Sequence, residues 1–430
     1  MAGERDPHFN VFHAYRGAAP DAAARARQLE DNLTRALAIT LAHVRGTDAA
    51  ARLLSELGVP EGLRLKAFEI QLQVPAVTIS WPSPDQRQLV AIVAGKADAQ
   101  PGEPADLATD APPAARPDLV LLWETHALVI ESEVTPGADL RQMERMASAF
   151  ETHGSGSSFG QTTWHRLAIA ARGLHLGLTE VQTFVITQFE EYLRMNGFGG
   201  FAAEHFTYFA VSPEQRQNEV ATRVGVRRAL MNLLHELQQG WPSDWVPYVG
   251  NLNPSATGLW GKLQGPGKMS PHLSIGVDAG GLGVFANVET HGPFVQFRKA
   301  WETNPGGLVS LVRRLSGGEF AELEQSPWSV IVTRRLQQYN DQGELRPRKF
   351  WYLPAITVTA SAAAKSDGLI ERVLNDAVGW YKTGEEANPE ITIHRQYQRW
   401  QVLSPGFIGR LIEDLRALEE FFSWIGQPVR

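Results

Sequence analysis

Two short apolar runs that carry acidic residues constrain the fold of this chain more than any other feature of its sequence. The first run, DLVLLW, covers residues 118–123, and the second, LVIESEV, covers residues 128–134. The intervening ETHA predicts a turn, so we expect the two runs to form a β-hairpin. Strands this apolar are typical of the middle of a sheet, where an unpaired carboxylate is costly. The hairpin therefore indicates a special role for its acidic side chains.

The predicted register of this hairpin gathers three carboxylates on one face. We expect Trp123 to stand opposite Leu128 across the turn. This register brings Asp118 opposite Glu133, and Glu131 shares the face of Glu133 because alternate strand residues point to the same side. Opposed side chains lie about 5 Å apart at Cβ, and the repulsion between such anions is relieved by protonation or by a bound cation. Oxygen ligands without sulfur suit Mg²⁺, Mn²⁺ or Ca²⁺. The alternative is a solvated strand edge that binds nothing.

These residues resemble the PD-(D/E)XK nuclease superfamily, which includes many restriction endonucleases. The motif residues are Pro117-Asp118, a strand turn, and Glu131-Ser132-Glu133. The resemblance covers roughly residues 20–175 and implies a restriction-endonuclease-like mixed sheet flanked by helices. It also implies that Asp118, Glu131 and Glu133 hold Mg²⁺ or Mn²⁺ and that the reaction is phosphodiester hydrolysis.

Two further site residues, and one departure, follow from the same resemblance. The helical run LRQMERMASAF points to Gln142, and the N-terminal helix containing LEDNLTRALA points to Glu30; an ordinary solvent-facing role remains the alternative for both residues. Glu133 occupies the position of the superfamily's usual lysine. A glutamate there acts as a base, binds a second metal ion, or marks an inactive site. Lys96 is a candidate for restoring the positive charge.

The length and the change in composition along the chain predict two or three domains. The 430 residues exceed the usual size of one domain. Periodicity indicates helices at about 21–45, 48–57, 179–197 and 213–239, whereas residues 66–80, 88–94 and 165–171 are typical of strands. The tract at 152–163 is expected to be a flexible loop. We place the boundary near residue 240: an α/β (α+β) nuclease-like domain at 1–240 precedes a C-terminal α+β domain at 241–430.

Charge and cysteine content limit the compartment and the partners. The net charge is −7, and residues 1–160 hold 14 Lys and Arg against 21 Asp and Glu, so the acidic excess lies there. The absence of cysteine excludes disulfides and thiolate metal sites and fits a reducing cytoplasm. The charged N-terminus does not resemble a signal peptide, and no apolar run reaches the roughly 18 residues of a membrane span. We expect a cytoplasmic protein without membrane contact.

Arginine and aromatic residues alternate in the C-terminal part of the chain. This pattern suits contacts with phosphates and bases, and it suits a protein interface equally well. The residues concerned are Arg313, Arg314, Arg334, Arg335, Arg346, Arg348, Lys349, Trp351, Tyr352, Arg395, Tyr397, Arg399 and Trp400.

The sequence as a whole predicts a metal-dependent nuclease that acts on nucleic acid, with DNA preferred to RNA. The resemblance alone implies a context in prokaryotic restriction or anti-phage defence, with a homodimer or a defence-system protein as the protein partner. The competing prediction is a non-catalytic subunit that keeps the fold in order to bind nucleic acid or a partner.

Overall fold

The chain folds into two compact units, Met1–Gly200 and Phe201–Arg430. The sequence placed the boundary near residue 240 instead. The structure, a computed structural model, describes residues 11–12, 22–73, 75, 79–83, 86–93, 116–134, 160–174, 176–240, 248–249, 252–255, 257–264, 272–288, 291–315, 328–339, 345–352, 356–359, 362, 368–379, 387–404 and 407–426.

The N-terminal unit combines four α-helices and one short 3₁₀ helix (Glu61–Leu63) with a five-stranded mixed sheet in its described part. The sheet order is β1-β3-β4-β2-β5; β1 and β3 are antiparallel, β3 and β4 are antiparallel, and β2 runs parallel to both β4 and β5. The elements are α1 (Ala22–Val44), α2 (Asp48–Glu56), β1 (Glu69–Leu72), β2 (Arg87–Val93), β3 (Leu119–Trp123), β4 (His126–Ser132), β5 (Gly160–Thr163), α3 (Trp164–Ala171) and α4 (Glu180–Met195).

The first helix forms where its leucine spacing predicts. Leu33, Leu37 and Leu41 are fully buried, and Leu29 packs against the same core. Residues four apart lie on one face of a helix, so these side chains form a continuous apolar stripe. The stripe packs against one face of the sheet. The strand residues in the same core are Val90 and Ile92 of β2 and Leu128 and Ile130 of β4.

The hairpin forms as predicted, but its register differs by two residues. Trp123 pairs with His126 rather than with Leu128, and only Glu124 and Thr125 remain in the turn. Two-residue connections match the natural twist of paired strands, which explains why His126 joins β4. A shift by two residues leaves each side chain on the same face of the sheet, since side chains alternate with a period of two.

Residues 160–171 were assigned wrongly from the sequence. The end of the expected flexible loop is strand β5, and the expected strand that follows is helix α3. The Thr163 hydroxyl accepts a hydrogen bond from the Arg166 N–H at 3.0 Å and so caps the helix. The buried side chains of α3 recur at helical spacing: Trp164, Leu167, Ala168 and Ala171.

In its described part, the C-terminal unit is built around an antiparallel sheet of nine strands. The strand order is β12-β11-β14-β10-β9-β8-β6, and β13 pairs with β11 while β7 pairs with β8. The elements are α5 (Ala203–Ala210), α6 (Pro213–Asn218), α7 (Val220–Gly240), β6 (Tyr248–Val249), β7 (Asn253–Pro254), β8 (Gly258–Gln264), β9 (His272–Asp278), β10 (Gly281–Val288), α8 (His291–Thr303), α9 (Pro305–Leu315), β11 (Ser329–Tyr339), β12 (Leu345–Tyr352), β13 (Ile356–Thr359), α10 (Leu369–Gly379), β14 (Ala387–Gln398), α11 (Arg399–Val402) and α12 (Phe407–Trp424).

The helices at 203–240 belong to this second core, which explains the position of the boundary. Phe206, Leu230, Leu234 and Leu237 are buried in one apolar cluster with the inner face of the large sheet. The side chain of Leu234 also packs closely against Gly261 of β8, where a Cβ atom would meet it at 2.5 Å. Sequence periodicity identified these helices but could not reveal which core they join.

The observed architecture confirms the predicted mixed α/β class. Within the described ranges, no helix has the length and apolar character needed to cross a bilayer.

Candidate metal-binding and catalytic site

Asp118 lies directly before β3, at the end of the sheet where β4 finishes. Its Oδ2 accepts a hydrogen bond from the Ser132 N–H at 2.8 Å. Burial raises the pKa of Asp118 to about 6, and the negative charges of Asp31 and Glu30 act in the same direction, although the bond from Ser132 opposes the shift. The carboxyl group is therefore held in surroundings that disfavour its charge, a condition that a cation would relieve.

Helix α1 brings two more carboxylates to the same end of β4. Glu30 Oε1 accepts a hydrogen bond from the Val134 N–H at 3.0 Å. Burial raises the pKa of Glu30, the Val134 hydrogen bond lowers it, and the charges of Glu133 and Asp31 raise it. Asp31 accepts a hydrogen bond from Gln73 Nε2 at 2.8 Å. Glu30 therefore lies close enough to Asp118 for its charge to raise the pKa of that carboxyl, and close enough to Glu133 to be affected by the Glu133 charge.

A side-chain contact fixes α1 against β4 at this point. Thr34 Oγ1 and Ser132 Oγ are 2.5 Å apart, and both residues are buried. Thr34 lies one turn after Glu30, so the two side chains share the helix face that meets the strand. This anchor determines where the Glu30 carboxylate lies.

Glu131 and Glu133 point to the sheet face opposite α1. The β4 residues that pack with α1 are Leu128 and Ile130, and the alternation of the strand places odd-numbered residues on the other side. Glu131 Oε2 is buried, whereas the Glu133 residue is half-buried. The N–H of Glu133 donates to the Ile92 carbonyl at 2.8 Å, which continues the pairing beyond the end of β4.

One line of neighbouring residues crosses the sheet at this end. Ala91 of β2 pairs with Glu131 on one side and with Gln161 of β5 on the other. Asp118 comes one residue before the paired segment of β3, and continuing the observed register places it opposite Glu131. The Gln73 N–H donates to the Asp118 carbonyl at 3.2 Å, which extends the line to β1.

Two predicted residues lie outside the described part of the chain. Gln142 falls in the undescribed range 135–159, and Lys96 falls in 94–115. Their positions relative to Asp118 stay predictions.

The acidic side chains have not converged into a preformed metal centre in the described part of the chain. Among those residues, no group of three or more His, Cys, Asp or Glu side chains is arranged to hold a metal ion. The observed hydrogen bonds give a physical reason, because Asp118 and Glu30 are turned towards the N–H groups of Ser132 and Val134. The oxygen-only donor set nevertheless fits Mg²⁺ or Mn²⁺.

The alternation of arginine and aromatic residues in the C-terminal unit has a structural explanation at two positions. Arg395 and Tyr397 are buried, and both bond to Asp414 Oδ2, at 3.0 Å from Arg395 Nη1 and 2.5 Å from the Tyr397 hydroxyl. The Arg395 guanidinium also lies 5.5 Å from the centre of the Trp328 ring. These two residues therefore cannot form the predicted nucleic-acid surface, because they belong to the core.

Other members of that alternating set remain at the surface. Trp400 is 52% exposed, and Arg314 forms an exposed ion pair with Glu420. Arg399 is instead half-buried, and its Nε donates to the Ala279 carbonyl. The side chains of Arg313, Arg334, Arg335, Arg346, Arg348, Lys349, Trp351 and Tyr352 lie outside the described part of the structure.

Sequence reasoning missed two residues near the site, Asp31 and Gln161. Asp31 follows Glu30 directly, so its proximity could have been found by treating the acidic pair as a unit. Gln161 gave no signal, because its strand is only four residues long and largely polar.

No protein-family model matches this chain, and no curated protein matches it either. The resemblance to PD-(D/E)XK nucleases therefore rests on the motif residues alone.

Proposed function

We propose that this chain is a divalent-metal-dependent nuclease that hydrolyses phosphodiester bonds, with DNA as the preferred substrate. The observation that carries the proposal is the buried Asp118 carboxyl, whose pKa is raised to about 6 at the sheet end that also holds Glu30, Glu131 and Glu133. Perturbed carboxyl groups are frequent at functional sites. The corresponding biological context is prokaryotic restriction or anti-phage defence in the cytoplasm.

Each acidic residue has a role that follows from its position. Asp118 and Glu131 would hold Mg²⁺, which supplies polarisation of the scissile phosphate and acidification of water when bound. Glu133 is half-buried and remains accessible, so it suits removal of a proton from the attacking water or a further contact with the metal. Glu30 holds the end of β4 through the Val134 N–H and supplies an additional oxygen when it rotates.

The direct test is cleavage by purified full-length protein. Plasmid, linear DNA and RNA are incubated with Mg²⁺ or Mn²⁺, with EDTA as the negative control. We expect wild type to cleave DNA, and we expect Asp118→Asn and Glu131→Gln to reduce the rate by at least about 100-fold, because each removes an anionic ligand. Glu124→Gln alters an exposed turn residue and should retain wild-type activity. Absence of cleavage of all three substrates by wild type contradicts the proposal.

A specific observation favours a second candidate, a non-catalytic subunit that binds nucleic acid. Asp118 and Glu30 already serve as acceptors for backbone N–H groups, which is a structural use of a carboxylate. A protein of this kind would bind DNA without cleaving it, and Mn²⁺ would leave its melting temperature unchanged. A nuclease would instead gain thermal stability from Mn²⁺, since a ligand that binds only the folded state stabilises that state.

A further inference from the structure

Strand β5 places the amide of Gln161 in line with Glu131. Both residues pair with Ala91, which lies between them on β2. Paired residues of neighbouring strands point to the same face, and neighbouring strands are about 4.8 Å apart, so the Gln161 and Glu131 backbones are separated by about 10 Å. The side chain between them is a single methyl group. The amide and the carboxylate therefore lie on one face of the sheet, on either side of the small Ala91 side chain.

The Gln161 amide nitrogen is buried, and it donates no hydrogen bond within the described part of the chain. A buried donor without a partner loses its interaction with water and gains nothing in exchange. Native proteins keep few such groups, and a group of this kind is frequently explained by a ligand or a catalytic role. This observation is independent of the acidic residues, yet it points to the same line across the sheet.

The chemistry of the proposed substrate identifies what such a donor would bind. A phosphodiester presents only acceptor oxygens and carries a negative charge, and the ionised Asp118, Glu131 and Glu133 side chains also only accept hydrogen bonds. The site therefore needs a donor that faces the phosphate. A primary amide provides two N–H groups without introducing another titrating charge.

We propose that Gln161 is a catalytic residue whose amide N–H donates a hydrogen bond to a non-bridging oxygen of the scissile phosphodiester. This inference rests on the proposed nuclease function. During hydrolysis the hydroxide part of water bonds to phosphorus, the bond from phosphorus to the leaving oxygen breaks, and the water proton goes to the leaving oxygen by way of Glu133. Gln161 gains and loses no proton. Its hydrogen bond strengthens as negative charge develops on the phosphate oxygen.

The first test compares two glutamine-to-leucine variants of the full-length protein. Gln161→Leu keeps the approximate shape of the side chain and removes both donors. Gln71→Leu is the matched control, since Gln71 lies on β1 of the same sheet, pairs with Val120, and has a buried amide oxygen without a partner in the described residues. With linear DNA and Mn²⁺, we expect Gln161→Leu to lower the single-turnover rate roughly 10²–10³-fold. DNA affinity should stay within about threefold, and Gln71→Leu should match wild type.

The second test needs no activity and uses inorganic phosphate as the probe. In EDTA without phosphate, Gln161→Leu should melt at a higher temperature than wild type, because the substitution removes a buried donor that lacks a partner. Phosphate added together with Mn²⁺ should raise the melting temperature of wild type and of Gln71→Leu, and it should raise that of Gln161→Leu by less, in keeping with an affinity change of about threefold.

The two tests separate failure of the inference from failure of the nuclease proposal. If wild type cleaves DNA and Gln161→Leu cleaves at the same rate, the role of Gln161 is overturned and the nuclease proposal stands. If wild type cleaves nothing, the nuclease proposal is overturned, and the phosphate test alone decides about Gln161. Equal phosphate shifts in wild type and Gln161→Leu overturn the inference, as does a lowered melting temperature of the metal-free variant, which indicates a purely structural role.

Discussion

Burial and like charges combine at Asp118 to make folding dependent on protonation. The folded protein raises the pKa of this carboxyl from its ordinary 3.8 to about 6, first through burial and then through the nearby Asp31 and Glu30. The folded state consequently binds a proton more tightly than the unfolded state. The stabilisation from that proton is complete below about pH 4 and is lost as the pH rises through about 6.

Replacing Asp118 with asparagine should remove this pH dependence. Asparagine cannot ionise, yet its Oδ1 can still accept the hydrogen bond from the Ser132 N–H. We expect Asp118→Asn to be more stable than wild type by roughly 2–3 kcal/mol at pH 7, from about 1.4 kcal/mol per pKa unit, and to match wild type near pH 4. Urea unfolding between pH 4 and 8 in EDTA measures the difference. Two stability curves that run parallel over this range would contradict the assignment of the shift to Asp118.

At the scale of elements, one buried charged group connects helix α12 to strand β14. Asp414 of α12 accepts hydrogen bonds from Arg395 and Tyr397 of β14. Burial raises the pKa of Asp414 even though the Arg395 charge lowers it, so the cost of desolvation exceeds the attraction between the pair. Such a pair fixes the position of the helix more than it adds net stability.

Breaking this connection should be costly because one buried charge would lose its partner. We expect Asp414→Asn to lower the free energy of unfolding by about 3–5 kcal/mol, the usual effect of removing one member of a buried pair. Glu420→Gln is the control on the same helix; its pair with Arg314 is exposed on both sides, and its loss should cost no more than about 1 kcal/mol. Chemical denaturation of the full chain compares the two variants, and equal losses would show that burial does not determine the strength of these pairs.

At the scale of the whole molecule, charge is distributed unevenly along the chain. The acidic excess lies in residues 1–160, and the remaining residues hold equal numbers of acidic and basic side chains. Residues 161–430, in which acidic and basic side chains are equal in number, should repel a polyanionic substrate less than residues 1–160. The exposed Trp400 in that part offers a flat ring on which a base can stack.

We therefore expect Trp400→Ala to weaken binding of a single-stranded DNA oligonucleotide by about 1–3 kcal/mol. Trp400→Phe keeps an aromatic ring and should retain most of the affinity. The slope of log Kobs against log salt concentration should be the same in all three proteins, because no phosphate contact is removed. Fluorescence anisotropy at several salt concentrations measures both quantities. Unchanged affinity in Trp400→Ala would favour a protein partner for this surface.

The sequence by itself determined the elements in which a hydrophobic periodicity extends over enough consecutive residues to distinguish a helix from a strand. The leucine stripe of α1 and the two apolar runs of the hairpin each follow one periodicity over many residues. That periodicity shows which side chains are buried together, and so whether the segment is a helix or a strand. These elements, with the helices predicted at 179–197 and 213–239, were sufficient to predict the mixed α/β class, although the second prediction covers two helices, Pro213–Asn218 and Val220–Gly240.

The tertiary structure alone decided the elements and contacts that depend on distant partners. Residues 160–163 become β5 because β2 supplies parallel hydrogen bonds that no local pattern encodes. Likewise, the alternation of Arg395 and Tyr397 is typical of a binding surface. Both side chains are buried instead, because Asp414 of a later helix accepts a hydrogen bond from each of them. The charge of Asp31 acts on Asp118 only because the contact between Thr34 and Ser132 fixes α1 against the end of β4. Burial and charge proximity arise from contacts between residues far apart in sequence, whereas periodicity records only which side of each segment is apolar.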